Sequence, residues 1–246
     1  MVDPRVSVIN ERLKSVRNII AVSSGKGGVG KSLAASTMAL ILAKRNYKVG
    51  LFDLDFTSPS THIILGIEGV KPEEEKGVIP PQIHGVKYMS IVYYSGEHAT
   101  PLRGADVSNA LIELLSITRW GELDFLIIDM PPGIGDVTLD AVRLIEKVKF
   151  LVITTTSQLA FGTVKKLVNL LRKLDIQVLG IVENMKMEDS KFIQHQVQDL
   201  NVPYLGEIYF DARIEDAIGK VDKILETNFA KQLSEIVFKA ALPAFL

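Results

Sequence analysis

Apolar residues in this chain gather in short, nearly continuous runs, and between the runs they recur every three or four positions. The runs fall at 18–24, 47–53, 86–92, 124–129, 150–156, 177–183 and 203–208, and several of them are nearly continuous Val, Ile, Leu and Phe. Such runs predict strands buried on both faces. The helical periodicity falls at 6–16, 31–45, 107–118, 136–147, 162–174 and 224–241. Alternation of this kind predicts an α/β fold, a doubly wound and mainly parallel sheet flanked by helices, with residues 1–246 forming one domain. Right-handed crossovers then gather the loops that follow the strands along one sheet edge. The stretch 68–82, with its glycines, prolines and the acidic run Glu73-Glu74-Glu75, reads as a solvated loop.

Composition narrows the function. The 246 residues are 47% hydrophobic, enough for a large core, and the formal charge of −1 gives no basic excess for a nucleic-acid partner. There is no cysteine, which excludes disulfides, thiolate metal ligands and iron–sulfur ligation by the chain's own thiols. The N-terminus lacks a signal-like apolar region and no run approaches a membrane span, so the expectation is a cytoplasmic protein without stable membrane insertion.

The segment Gly25-Lys26-Gly27-Gly28-Val29-Gly30-Lys31-Ser32 fits GxxxxGK followed by Ser or Thr, between a predicted strand and a predicted helix. Glycines let the backbone come close to phosphate, and the loop amides and helix N-terminus face the anion. ATP or ADP with Mg²⁺ is the cofactor this implies. Residues Gly27, Gly28, Val29, Gly30, Lys31, Ser32 and Leu33 would bind the nucleotide, with Lys31 on the β/γ oxygens and the Ser32 hydroxyl on the metal. Asp53 and Asp55 lie two apart at a strand end and so point the same way. Like charges so close call for a cation or a protonated neighbour. The apolar strand ending at Asp129 has the Walker B pattern, and Asp129 would hold Mg²⁺. Met130-Pro131-Pro132-Gly133 and Ile134-Gly135 then suit a hinge, with Asp136 capping the next helix.

The loop resembles the deviant Walker A of the MinD/Mrp ATPases, in which the lysine at the position of Lys26 reaches the nucleotide of the partner subunit. The resemblance implies an ATP-dependent homodimer, with Lys26, Lys31 and Asp55 as catalytic residues and Asp55 orienting the attacking water. It also implies Asp53 near the Mg²⁺ shell, Asn184 on the adenine, and 206–211 covering the base from its other side. Arg103-Gly104, Trp120-Gly121-Glu122-Leu123-Asp124 and Gly180-Ile181-Val182-Glu183-Asn184-Met185 are similar to the Mrp-type branch of this superfamily. Those relatives carry iron–sulfur clusters on a CxxC pair just after the Glu-Asn-Met segment. Here that stretch reads Met185-Lys186-Met187-Glu188-Asp189-Ser190-Lys191-Phe192, without cysteine. Ile134, Ser157 and Tyr209 depart from the usual Thr, Pro and Pro.

A cysteine-free archaeal subgroup, the ATPase-type HypB accessory proteins for nickel insertion into NiFe hydrogenase, is also similar. It implies nickel delivery, a HypA-type metallochaperone and the hydrogenase large subunit as partners. The alternatives are an iron–sulfur carrier-related ATPase without its own cluster cysteines, or a MinD/ParA-like spatial regulator. His62, His84, His98 and His195 are not paired at metal-ligand spacing and read as structural. The apolar C-terminus, 236–246, reads as packing or partner-docking surface, because it lacks a cationic face and Pro243 stops the helix.

Overall fold

The structure is a computed structural model and describes residues 5–95 and 105–238. The chain begins with α1 (Arg5–Leu13), β1 (Val16–Ser24), α2 (Lys31–Lys44), β2 (Val49–Asp53) and α3 (Thr61–Leu65). Short strands β3 (Glu73–Glu74), β4 (Val78–Ile79) and β5 (Gln82–Ile83) lead to β6 (Val86–Ser90), α4 (Val92–Ser95) and α5 (Ala105–Ile117). Then come β7 (Leu123–Asp129), α6 (Asp136–Leu144), β8 (Val148–Thr155), α7 (Gln158–Lys173) and β9 (Val178–Lys186). The described chain closes with α8 (Phe192–Gln198), β10 (Tyr204–Tyr209), α9 (Arg213–Ala217), α10 (Val221–Glu226) and α11 (Asn228–Ile236).

The main sheet has eight strands in the order β10-β9-β8-β1-β7-β2-β6-β5. Every pairing is parallel except that of β5 with β6. Successive strand residues serve opposite faces. Ile19 and Ala21 pack with α1, α5, α6 and α7, while Ile20 and Val22 pack with α2 and α11. This is the physical reason the strands read as continuous apolar runs. Helix α2 lies between the sheet and outer helices and is buried continuously from Ala34 to Leu42, so it carries no polar stripe.

Three expectations are corrected. The stretch 68–82 is not simply solvated loop: β3 and β4 form an antiparallel hairpin, Val78 is buried, and Val78 bridges to Thr118. The helix expected at 224–241 is broken at Thr227, whose hydroxyl accepts from the Ala230 N–H and caps α11. The strand expected over 86–92 ends at Ser90, and the chain turns into α4. Arg103, Gly104, His98 and the tail from 239 onward lie outside the described residues. Ile236 and Val237 are buried in the α2-side core. No helix among the described residues is long and apolar enough to cross a membrane.

Candidate functional site

Register sets the site. Val22 and Asp53 both pair with Asp129, so β1, β2 and β7 end level and deliver their following loops to one place. Two glycines of the loop after β1 take left-handed backbone, Gly28 at φ 76° and Gly30 at φ 81°. At Gly30 a Cβ would also fall 2.4 Å from Asn184 Nδ2. The loop thus presses on the end of β9 with no room for a side chain, and Asn184 Nδ2 donates to the Val29 carbonyl at 2.9 Å. Asn184 is buried, and its amide props the loop from outside. Helix α2 starts from Gly30 and directs its first-turn amides into the loop.

Lys31 is only 6% exposed. Its Nζ donates to Asp129 Oδ1 at 2.5 Å and to Ser32 Oγ at 3.1 Å, and lies 4.0 Å from Asp55 Oδ2. One ammonium therefore faces Asp55 and Asp129, with Asp53 behind them. Asp129 Oδ2 is buried and has no hydrogen-bond partner among the described residues. Burial pushes the Asp129 carboxyl up, against the opposing pull of Lys31. Among the described residues no group of three or more His, Cys, Asp or Glu could by itself hold a metal. Ser32 Oγ and the orphaned Asp129 oxygen are nonetheless hard donors. They fit Mg²⁺ in the form it takes beside phosphates, with few protein ligands and the remainder phosphate oxygen and water.

Asp53 is fully buried, and both its oxygens are engaged internally. Oδ1 accepts the Asp55 N–H at 3.0 Å, and Oδ2 accepts the Thr61 hydroxyl at 2.5 Å and the Thr61 N–H at 3.3 Å. Its carboxyl is pushed up to about 7, chiefly by burial and then by the charge of Asp129. A carboxyl raised in the folded state binds a proton more tightly folded than unfolded, so its contribution to stability is present at low pH and is lost as pH rises through about 7. In nucleotide-free protein, the melting temperature of Asp53→Asn relative to wild type is expected to rise between about pH 4 and about pH 8, a span that contains the unfolded and folded values of the carboxyl. A difference that stays flat across this range would show that Asp53 carries no such penalty.

Asp55 is buried, and its Oδ1 accepts the Ser58 N–H at 3.1 Å, leaving Oδ2 toward Lys31. Lys26 is exposed on the outer part of the loop. The segment after β7 lies along the loop: Met130 N–H donates to the Val22 carbonyl, and Gly133 N–H donates to that of Ser24 at 2.8 Å. Ile134 is 43% exposed there. Asp136 does not cap α6. Gly135 takes the cap position and Asp136 is the first helical residue, where its charge favours the helix N-terminus.

The structure brings together the loop, Asp53, Asp55 and Asp129 that sequence reasoning singled out, and adds Thr61 and Tyr88 beside Asp53, which that reasoning did not. Nothing in local pattern marks a threonine eight residues beyond an aspartate. Also missed is the polar cluster beside Asn184, in which buried Glu183 and Lys186 meet half-buried Tyr204 and Glu207. There Lys186 pairs with Glu207, and the Tyr204 hydroxyl donates to Glu183 at 2.8 Å.

The loop at the head of α2, its buried lysine and the strand-end carboxylates define a P-loop nucleoside triphosphatase. The chain matches the family model described as NUBPL iron-transfer P-loop NTPase over residues 15–242, and it belongs to that family. It is 41% identical over 254 aligned residues to the iron–sulfur cluster carrier protein of Aquifex aeolicus, covering 92% of this chain and 70% of that one. It is 43% identical over 178 residues to the protein of the same name from Pseudomonas fragi, covering 70% of this chain and 62% of that one. The chain thus spans roughly two thirds of the length of these relatives. Among solved structures, a nucleotide-binding protein from Archaeoglobus fulgidus in complex with ADP superposes with a TM-score of 0.76 at 30% identity. The match covers 90% of this chain and 93% of that one. The septum site-determining protein MinD of Pyrococcus horikoshii, complexed with Mg-ADP, superposes at 0.69 with 22% identity, covers 92% and 97%, and shares the fold.

Proposed function

We propose that this protein is a Mg²⁺-dependent ATPase that forms a homodimer with ATP and serves iron–sulfur cofactor assembly without ligating a cluster itself. The observation that carries the ATPase reading is Lys31, buried at the head of α2 and held by Asp129 with Asp55 close by. An internal carboxylate occupies the lysine where a phosphate would. Incoming triphosphate exchanges partners with Asp129, so Lys31 moves from one anion to another at little desolvation cost. Ser32 and Asp129 are the residues that would hold Mg²⁺, which when bound neutralises phosphate charge. Asp55, 4.0 Å from Lys31 Nζ, would orient a water for attack on the γ-phosphorus, releasing ADP and phosphate.

The cellular role rests on the relatives, which are named iron–sulfur cluster carrier proteins. This chain has no cysteine, so thiolates for a cluster must come from a partner. Nickel delivery, with a HypA-type protein and hydrogenase as partners, draws no support from these relatives, and the iron–sulfur reading replaces it.

Lys26 is the test of the dimer. Exposed on the outer loop, it is free to reach a facing subunit, and only ATP offers it a γ-phosphate. ATP promotes dimerisation only if the dimer binds it more tightly than the monomer does. Lys26→Ala is expected to keep nucleotide affinity within about threefold, and to lose ATP-dependent dimerisation and most hydrolysis, an effect on the order of the 10³-fold seen for cations supplied in trans. Light scattering with ATP, ADP and a slowly hydrolysed analogue reads this directly. Identical oligomeric states for variant and wild type under all three would remove Lys26 from the switch.

A further inference from the structure

We infer that Thr61 and Tyr88 are positioning residues for ATP hydrolysis, forming with Asp53 a buried hydroxyl chain that fixes where Asp55 stands. The inference rests on the ATPase reading above and adds to it residues that contact no substrate. Leu51 pairs with Tyr88 and Asp53 with Ser90 across β2 and β6, so the Tyr88 and Asp53 side chains share one face of the sheet. Thr61, the first residue of α3, lies between them. Its Oγ1 is 2.5 Å from Asp53 Oδ2 and 2.9 Å from the Tyr88 hydroxyl. Asp53, Thr61 and Tyr88 are each at most 1% exposed, so water does not substitute for any link.

Proton accounting fixes the direction of the chain. A threonine hydroxyl has one hydrogen, and with Asp53 ionised Thr61 spends it on that carboxylate. Tyr88 is then the donor to Thr61. Burial pushes the Tyr88 phenol well above its ordinary value, which keeps it a donor throughout the working pH range. Asp53 Oδ1 meanwhile accepts the Asp55 N–H. One carboxylate thus holds both ends of the segment 55–61, one oxygen at each end. That segment carries Asp55, whose free oxygen lies 4.0 Å from Lys31 Nζ. Loosening the Thr61 end frees Asp55 to wander while the phosphate loop stays intact. A misplacement of about 1 Å of a reacting group costs on the order of 10²-fold in rate.

The test compares wild type with Thr61→Val, Thr61→Ser and Tyr88→Phe in steady-state ATP hydrolysis, with ATP affinity read separately by calorimetry. Thr61→Val is expected to lower kcat by about tenfold or more with KM and ATP affinity within about twofold, because the loss falls on the transition state alone. Thr61→Ser, which keeps the hydroxyl, is expected to return kcat to within about threefold of wild type, and Tyr88→Phe to fall between. Amide hydrogen exchange over 55–60 is expected to quicken in Thr61→Val and in Tyr88→Phe. Should Thr61→Val fail to fold, Tyr88→Phe and the serine variant carry the same comparison. Wild-type kcat and unchanged exchange in Tyr88→Phe, or a serine variant no better than valine, overturns the inference while leaving the ATPase reading in place. A wild-type protein that binds ATP but does not hydrolyse it overturns both.

Discussion

Replacing Lys31 with alanine is expected to weaken ATP binding by about 10–100-fold, the loss of charge-assisted contacts worth roughly 1.5–3 kcal/mol. The structure adds a second effect. Lys31 is the cation that compensates Asp129, whose other oxygen is already buried without a partner among the described residues. Removing one member of a buried pair typically costs about 3–5 kcal/mol. The nucleotide-free variant should therefore unfold at much lower denaturant than wild type. Burial already pushes the Asp129 carboxyl up, and loss of Lys31 removes the pull that opposes it. The carboxyl can then escape its penalty by taking a proton. Stability of the variant should be best preserved in acid and fall as pH rises. Calorimetry with ATP and urea unfolding at two pH values measure both effects. Unchanged ATP affinity would end the assignment of the loop as a phosphate site.

Asp55→Asn should separate binding from chemistry. The amide oxygen of asparagine can still accept the Ser58 N–H, as Asp55 Oδ1 does at 3.1 Å, so the segment keeps its path. What disappears is the negative charge facing Lys31 and the water to be activated. ATP affinity should stay within about threefold. Single-turnover hydrolysis should slow by about 100-fold or more, the usual scale for a lost base or water-positioning group. A dimer trapped with ATP is the accompanying result in light scattering. Hydrolysis at the wild-type rate would exclude Asp55 from the reaction.

Most of the seven strands expected from sequence were legible for one reason, the exception being the half-buried edge strand β10. With helices on both faces, alternate residues such as Ile19 and Ile20 are both buried, and burial on both sides writes an unbroken apolar run. Helices α3, α8 and α9 were not legible, because five to seven residues are too few to show a helical period. The break at Thr227 was a capping signal hidden inside apolar residues that serve two helices. In the site, the glycine loop and the strand-end aspartates are linear patterns and could be read directly. Partnerships could not. That Asn184 props Val29, or that Tyr88 reaches Asp53 through Thr61, depends on which strands become neighbours. The missing cysteines likewise state what the chain cannot ligate. They are silent on its client, and the nickel expectation went further than they allow.

The position of β1 has a consequence for how the protein is made. It sits in the middle of the sheet, yet its partners arrive late: Val16 pairs with Leu123, and Ile19 with Val148. The phosphate loop at 25–32 is translated well before both strands that flank β1, since β7 starts only at Leu123 and β8 at Val148. Until then its glycines have nothing to press against, since α7 and Asn184 are still unsynthesised. A nascent chain should gain nucleotide protection late and abruptly, once β8 and β9 close beside β1. A chain stalled before residue 123 leaves β1 with neither of its neighbours, an unpaired apolar strand of the kind that chaperones shelter.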